Sequence, residues 1–201
     1  MKHAAFGIFI RSGKATAVLL TAAGAAPQII ERRMVSLADP SVPDSFQPYH
    51  VFETRSGSSA ERVVEKLKAQ AAAIAAQSIG KLVNDARRAG YQPDRAVLVV
   101  GSKIDPQTLK NEHIRWHALE GRLFRNVVES ALASHSIPCS VVTSKEVFKF
   151  GAKVLKRQEE DLKRQVRDLG RSMGSWRAED KAASLAAWLG LAGNRIAQEI
   201  P

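Results

Sequence analysis

The feature of the sequence that most constrains the fold is a short, uninterrupted apolar run in the middle of the chain. Residues 96–100 read Ala-Val-Leu-Val-Val and are bounded by Arg95 and Gly101. A β-branched run of this length that ends at a glycine is typical of a strand buried on both faces of a sheet. A helical pattern follows from Thr108 to Ser134, which predicts a layered α/β domain with helices over the sheet.

The remaining segments predict the element order β-β-β-α-β-α-β-α-α. Residues 1–38 hold three β-rich runs separated by turns, which indicates an antiparallel meander. The alanine-rich segment 59–89 keeps a helical period and predicts one long helix. Segment 95–143 predicts a strand, a helix and a strand, with parallel pairing because helices form the crossovers. We therefore expect a mixed five-stranded sheet flanked by helices.

Two helical segments complete this single predicted domain of residues 1–201. A basic one covers 145–171, and a final helix covers 179–192. Between the meander and the long helix, residues 39–57 contain three prolines and lack a helical period. This segment predicts a loop, with a short extended piece at residues 50–53.

Composition and charge narrow the class of protein. The 201 residues are 45% hydrophobic and 25% charged, which favours a folded domain with a core over a disordered chain. The net charge of +10 favours a polyanionic partner, nucleic acid before a membrane surface. A single cysteine, Cys139, excludes a disulfide framework within one chain and fits a reduced, cytoplasmic setting. No stretch approaches the roughly 20 apolar residues of a membrane span.

Three side chains that could bind a metal ion or act in catalysis stand at helical spacing after the central strand. His113, His117 and Glu120 stand at i, i+4 and i+7, so they share one helix face and could converge on a metal ion or act in catalysis. A helical wheel places them near the middle of the apolar face, where buried polar groups need partners. The alternatives are a hydrogen-bonded network that braces the loop 102–111, which we favour, and simple surface exposure.

The basic segment 145–171 is the candidate surface for nucleic acid. Its nine basic and five acidic residues leave an excess of four positive charges. A solvated helix with internal ion pairs would explain this pattern, but so would a surface that follows phosphates, with Trp176 as a stacking ring. The candidate binding residues are Lys149, Lys153, Lys156, Arg157, Lys163, Arg164 and Trp176.

Four short motifs occur in the same element order as those of a known family. They are Gly-Arg-Leu-Phe-Arg-Asn-Val-Val at 121–128, the segment 137–149 beginning Ile-Pro-Cys-Ser-Val-Val-Thr, Lys-Arg-Gln-Val at 163–166, and Glu-Asp-Lys-Ala-Ala-Ser-Leu-Ala at 179–186. Together they resemble the RuvC type of Holliday junction resolvase, within the ribonuclease H-like fold. The resemblance implies nucleic-acid binding, with DNA favoured over RNA.

The resemblance also implies cleavage by two Mg²⁺ or Mn²⁺ ions held by four carboxylates, because such ions clamp the phosphoryl group between oxygen ligands. The position expected in the first strand is Phe9, and residues 1–28 contain no acid. The position expected at the end of strand four falls at Val99 to Gly101, with Asp105 as the nearest acid. In the final helix, Asp180 matches one ligand, and its partner position lies near Ala183.

Three hypotheses follow. The favoured one is a nucleic-acid-binding relative that has lost its metal cluster and requires no cofactor. The second is a divergent Mg²⁺- or Mn²⁺-dependent nuclease with Asp180, Glu120, His113 and His117 as catalytic candidates and with Asp180 and Asp105 as metal ligands. The third is a protein–protein scaffold or homodimer built on the helix 59–89.

Overall fold

The sheet has the mixed topology that the sequence predicts. The computed structural model of the chain describes residues 1–23 and 26–193. In this part of the chain, five strands lie in the order β3-β2-β1-β4-β5. The first three pair antiparallel, whereas β4 pairs parallel with β1 and with β5. The strands are β1 Lys2–Arg11, β2 Lys14–Ala23, β3 Ala26–Ser36, β4 Tyr91–Val100 and β5 Cys139–Thr143.

Helices cover both faces of the sheet. One core is formed with α2 and α3, and the opposite face is covered by α4, α5 and α6. The crossovers β3–α2–β4 and β4–α3–β5 explain the parallel pairing, because parallel strands need a long connection. The helices are α1 Val51–Thr54, α2 Gly57–Arg88, α3 Glu112–Ala133, α4 Val147–Leu155, α5 Glu159–Leu169 and α6 Ala178–Leu191. None of the helices in the described residues is long and apolar enough to span a membrane.

Alternate residues of β1 belong to different cores. Phe6 and Ile8 are fully buried against α2 and α3. Phe9 packs on the other side, with the residues under α6. Because side chains alternate across a strand, the sheet separates two surfaces of different chemistry.

The helix α6 lies unusually close to β1. A Cβ atom added to Gly7 would stand 1.8 Å from the carbonyl oxygen of Ala183, so only glycine fits there. Gly190 allows a similar approach, because an added Cβ atom would stand 2.8 Å from Cβ of Ala5. Gly7 on β1 and Gly190 near the end of α6 therefore allow this short distance between the helix and the sheet.

Three local predictions need correction. The segment predicted as extended at 50–53 is helical, because Pro48 opens a 3-10 turn, Pro48–His50, that continues into α1. The segment 145–171 contains two helices, separated where Lys156 takes a left-handed conformation with φ of 52°. The helix predicted from Thr108 begins at Glu112, because the side chain of Asn111 caps it by accepting from the Ile114 N–H at 3.0 Å.

Candidate functional site

A basic cavity lies where the first strand and the final helix meet. Its volume is about 300 Å³. Of the positions that the resemblance assigns to metal-binding acids, Phe9 and Asp180 line it, and Phe9 offers no carboxylate. Five basic residues line it against two acidic ones, so the site attracts anions. The charged residues of this lining are Arg11, Lys14, Arg32, Arg33, Arg177, Glu179 and Asp180.

Asp180 is held by a helix cap and by an arginine. Its Oδ2 atom accepts a hydrogen bond from the backbone N–H of Arg177 at 2.7 Å, which completes a capping box at the start of α6. The same oxygen lies 3.4 Å from Nη1 of Arg32, and the side chain is only 7% exposed. Its neighbours are therefore a backbone donor and a cation, which satisfy this carboxylate as a structural group.

The other positive groups of the cavity differ in their pairing. Arg11 lies 2.9 Å from Glu179. Arg33 points towards the opposite face, where it lies 2.7 Å from Asp85 of α2. Among residues 1–23 and 26–193, Lys14 and Arg177 have no acidic partner, so their charges are available to a ligand.

The histidine face of α3 lies on the other side of the sheet. The wheel placed His113 and His117 on the apolar face, but their side chains are 56% and 49% exposed. That placement is wrong because the first turns of α3 extend past the edge of the core. Glu120 is placed correctly, since its side chain is fully buried.

The partners of these residues come from the segment 48–54 and not from the loop 102–111. The ring of His50 lies 4.7 Å from that of His117 and 5.1 Å from that of His113, measured between centroids. Its Nδ1 atom lies 2.7 Å from Oε1 of Glu120. Burial raises the pKa of Glu120, while the hydrogen bond from His50 acts in the opposite direction.

His50 is the residue that sequence reasoning missed. It lies far from His113 in the sequence, in a proline-containing turn without periodicity, so no spacing rule connects the two. The available signal was weaker: three of the five histidines in the chain belong to this one cluster.

The acids considered as metal ligands or catalytic groups do not converge. Asp105 caps a 3-10 turn by accepting from the Gln107 N–H at 3.1 Å and lies 2.6 Å from Arg122. Both interactions lower the pKa of Asp105, and the hydrogen bond from the Gln107 N–H has the larger effect. Glu120 belongs to the histidine cluster, and Asp180 lies under the opposite face of the sheet. The three acids therefore have separate partners in this structure.

The basic segment presents its charges on α4 and α5. Lys149, Lys153, Lys156 and Arg157 are exposed. On α5, by contrast, Lys163 pairs with Glu159 at 2.9 Å and with Glu160 at 2.8 Å, and Arg164 pairs with Asp161. Lys163 and Arg164 are therefore balanced by acids of their own helix, whereas Lys149 and Lys156 have no acidic partner among the described residues.

Trp176 has a packing role in this structure. Its Nε1–H donates to the carbonyl oxygen of Val166 at 3.0 Å. Its ring packs on Gly170, where an added Cβ atom would stand 2.2 Å from the indole. The guanidinium of Arg32 lies 5.9 Å from the ring centroid, so Trp176 connects the end of α5 to the basic cavity. Stacking on a nucleic-acid base would require this packing to open.

The comparisons with known proteins agree with the fold. Thermus thermophilus RuvC, in complex with a Holliday junction substrate, aligns with a TM-score of 0.57 at 13% identity, over 97% of this chain and 95% of that one. The yeast mitochondrial Holliday junction resolvase Ydc2 aligns with a TM-score of 0.53 at 10% identity, over 97% and 81%. No family model and no curated protein sequence matches the chain. The chain thus has a RuvC-type, ribonuclease H-like fold, as its motifs predicted.

Proposed function

We propose that this chain is a nucleic-acid-binding module that uses the RuvC-type fold without two-metal cleavage. The basic cavity at the site of the expected acid cluster carries this proposal. Arg33 pairs with Asp85 on the other face, so four basic side chains face the cavity against two acidic ones. Such a cavity would hold a phosphate oxygen well and would repel a pair of divalent cations.

Packing at the positions expected to hold metal ligands supports this proposal. Phe9 of β1 is half-buried and packs against α6, in which Ala183 is fully buried. At the end of β4, Val99 and Val100 are buried apolar residues. A carboxylate at these positions would need partners that the surrounding apolar side chains do not offer. Asp180 remains, but its charge is balanced by Arg32.

Two basic surfaces support binding along an extended polyanion. The first is the cavity, with Lys14 and Arg177 as its available cations. The second is formed by α4, with Lys149 and Lys153, and by the turn after it, with Lys156 and Arg157. Trp176 contacts α5 and Arg32, so it connects the cavity to α5, the helix that follows α4. DNA is the favoured ligand, since the aligned RuvC structure holds a Holliday junction substrate.

The test measures the affinity for fluorescent four-way, duplex and single-stranded DNA, and for RNA, over a range of salt concentrations. Replacing Lys14 and Arg177 by alanine should weaken binding roughly tenfold at low salt and lower the salt slope by about two. The matched control replaces Arg62 and Lys66, two exposed basic residues of α2 across the sheet, and should leave both values near those of the parent. A second pair of substitutions, Lys149→Ala with Lys156→Ala, measures how much α4 and the turn after it contribute to nucleic-acid binding.

Binding that is absent at low salt for all of these ligands would refute the proposal. Equal losses in the cavity pair and in the control pair would show a non-specific charge effect and would also refute it. Cleavage is assayed with the same junctions in Mg²⁺ and in Mn²⁺. We expect no product, whereas cleavage that Asp180→Asn abolishes would favour a divergent nuclease.

A further inference from the structure

Three histidines from two separate segments point towards one point in space. His50 lies at the end of the 3-10 turn, and His113 and His117 lie one turn apart on α3. One ligand atom of each lies within 4.8 Å of those of the other two. We propose that these three residues form a zinc site. It lies across the sheet from the basic cavity and goes beyond the function proposed for that cavity.

The two nitrogens of each ring have different neighbours. In every case Nδ1 faces a carboxylate: His50 lies 2.7 Å from Glu120, His113 lies 3.1 Å from Glu53, and His117 lies 3.5 Å from Glu120. Metal-binding histidines typically direct their second nitrogen to a carboxylate, which fixes the ring and its tautomer. The carboxylates thus leave the three Nε2 atoms as the ligand atoms.

Two of the three Nε2 atoms lie at the spacing that a metal ion would need. Those of His113 and His117 lie 3.1 Å apart. Two ligands of a tetrahedral zinc ion, each about 2.0–2.1 Å from the metal, would lie about 3.3 Å apart. The Nε2 atom of His50 is buried and has no hydrogen-bond partner among the described residues. Buried nitrogens without a partner are rare, and a metal ion would satisfy this one.

The charges also favour a cation. Glu120 is a fully buried carboxylate, and Glu53 adds a second negative charge at the edge of the cluster. Protonation of all three rings would place positive charges at centroid distances of 4.7 to 5.1 Å from one another. One dication bound to three neutral imidazoles would balance both carboxylates without that repulsion.

The three imidazole ligands determine which metal ions the site would favour. Imidazole nitrogens suit zinc and other late transition metals, whereas Mg²⁺ and Ca²⁺ prefer oxygen ligands. Three protein ligands leave a fourth position, and the exposure of His113 and His117 places it on the solvent side. A water molecule or an anionic oxygen would complete a tetrahedral site there. Trp116, whose ring centroid lies 5.9 Å from that of His50, lies beside the cluster.

The experiment begins with protein stripped by a chelator and titrated with Zn²⁺ in competition with a chromophoric chelator. One ion should bind per chain, and a saturating excess should raise the Tm by about 5–10 °C, because the metal binds the folded state. Co²⁺ should give the intense visible absorption of a tetrahedral site. Mg²⁺ should give neither effect.

The variants separate a built site from a surface pair of histidines. His50→Ala should lower the zinc affinity at least 100-fold, and the conservative Glu120→Gln should lower it about 10–100-fold. The control, His3→Ala, removes an exposed histidine that pairs with Asp94 at the start of the sheet, and it should change nothing. If His50→Ala does not fold, as judged by circular dichroism, the more conservative His50→Gln is measured in its place.

Unchanged zinc affinity in the folded His50→Ala protein would show that only the i, i+4 pair on α3 binds metal, which would overturn the proposal. A failure of the wild-type protein to bind Zn²⁺ would overturn it as well. Neither readout involves nucleic acid, so the result is independent of the test of the basic cavity.

Discussion

Cys139 illustrates how burial controls the chemistry of one side chain. It is a free thiol at the start of β5, and burial, with a smaller contribution from Glu129, raises its pKa to about 11. Since the thiolate is the reactive form, the folded protein should react with a disulfide reagent at pH 8 about 100-fold more slowly than the unfolded chain. Absorbance at 412 nm, with and without denaturant, measures this ratio. Equal reaction rates in the folded and unfolded states would contradict the raised pKa of Cys139.

The residues that the sequence patterns predicted differ from His50, which they missed, in the kind of contact that determines their place in the structure. The apolar residues Phe9, Val99 and Val100 could be placed in strands from the sequence because strand positions follow from local periodicity. His50 could not be placed in this way, because its relation to His113 depends on how a turn folds back onto α3. Local patterns do not contain that information. The exposure of His113 and His117 also depends on where the core ends, which a helical wheel does not include.

At the level of elements, the contact between α6 and β1 can be tested with two glycines. Gly7→Ala forces a methyl group to within 1.8 Å of the backbone of Ala183 and should lower the free energy of unfolding by about 3 kcal/mol or more. Gly121 is the matched control. It lies within α3 with open space at its Cβ position, so Gly121→Ala should raise stability by about 0.5–1 kcal/mol. Urea denaturation measures both, and a similar effect of the two substitutions would contradict the predicted close packing.

The elements were predicted where a repeating pattern extended over many residues. The three strands of the meander, the long helix α2 and the strand β4 all have such patterns. The break at Lys156 was missed because a lysine takes the left-handed position there and no glycine or proline marks it. The start of α3 was placed too early because the cap at Asn111 depends on a side-chain hydrogen bond. Boundaries of this kind are decided by single contacts that a period does not encode.

For the molecule as a whole, one ion-pair cluster ties a strand at the edge of the sheet to the longest helix. Asp85 of α2 lies 2.7 Å from Arg33 of β3 and 3.3 Å from Lys81, and it also pairs with Arg88. The hydrogen bonds from Arg33 and Arg88 hold the pKa of Asp85 well below its ordinary value. Its contribution to stability is therefore present above about pH 4, the range of an unfolded aspartate, and is lost as the pH falls towards the lowered pKa.

Asp85→Asn should accordingly lower the free energy of unfolding at pH 7, and its difference from the parent protein should shrink as the pH falls below about 4. Urea denaturation at several pH values gives both curves. Asp168→Asn, which changes a more exposed aspartate paired with Arg171, is the control and should have a smaller effect. A constant offset between the Asp85→Asn and parent curves at every pH would exclude this role for the carboxylate.

The alternation of side chains along β1 has a consequence for how such a domain can change in evolution. Residues that face α6 can be replaced while those that face α2 and α3 keep their neighbours, because the two sets share a backbone and little else. A lineage could therefore lose an activity on one face and acquire another on the opposite face without passing through an unfolded intermediate. The residues on the two sides of β1 would then have evolved separately within one fold.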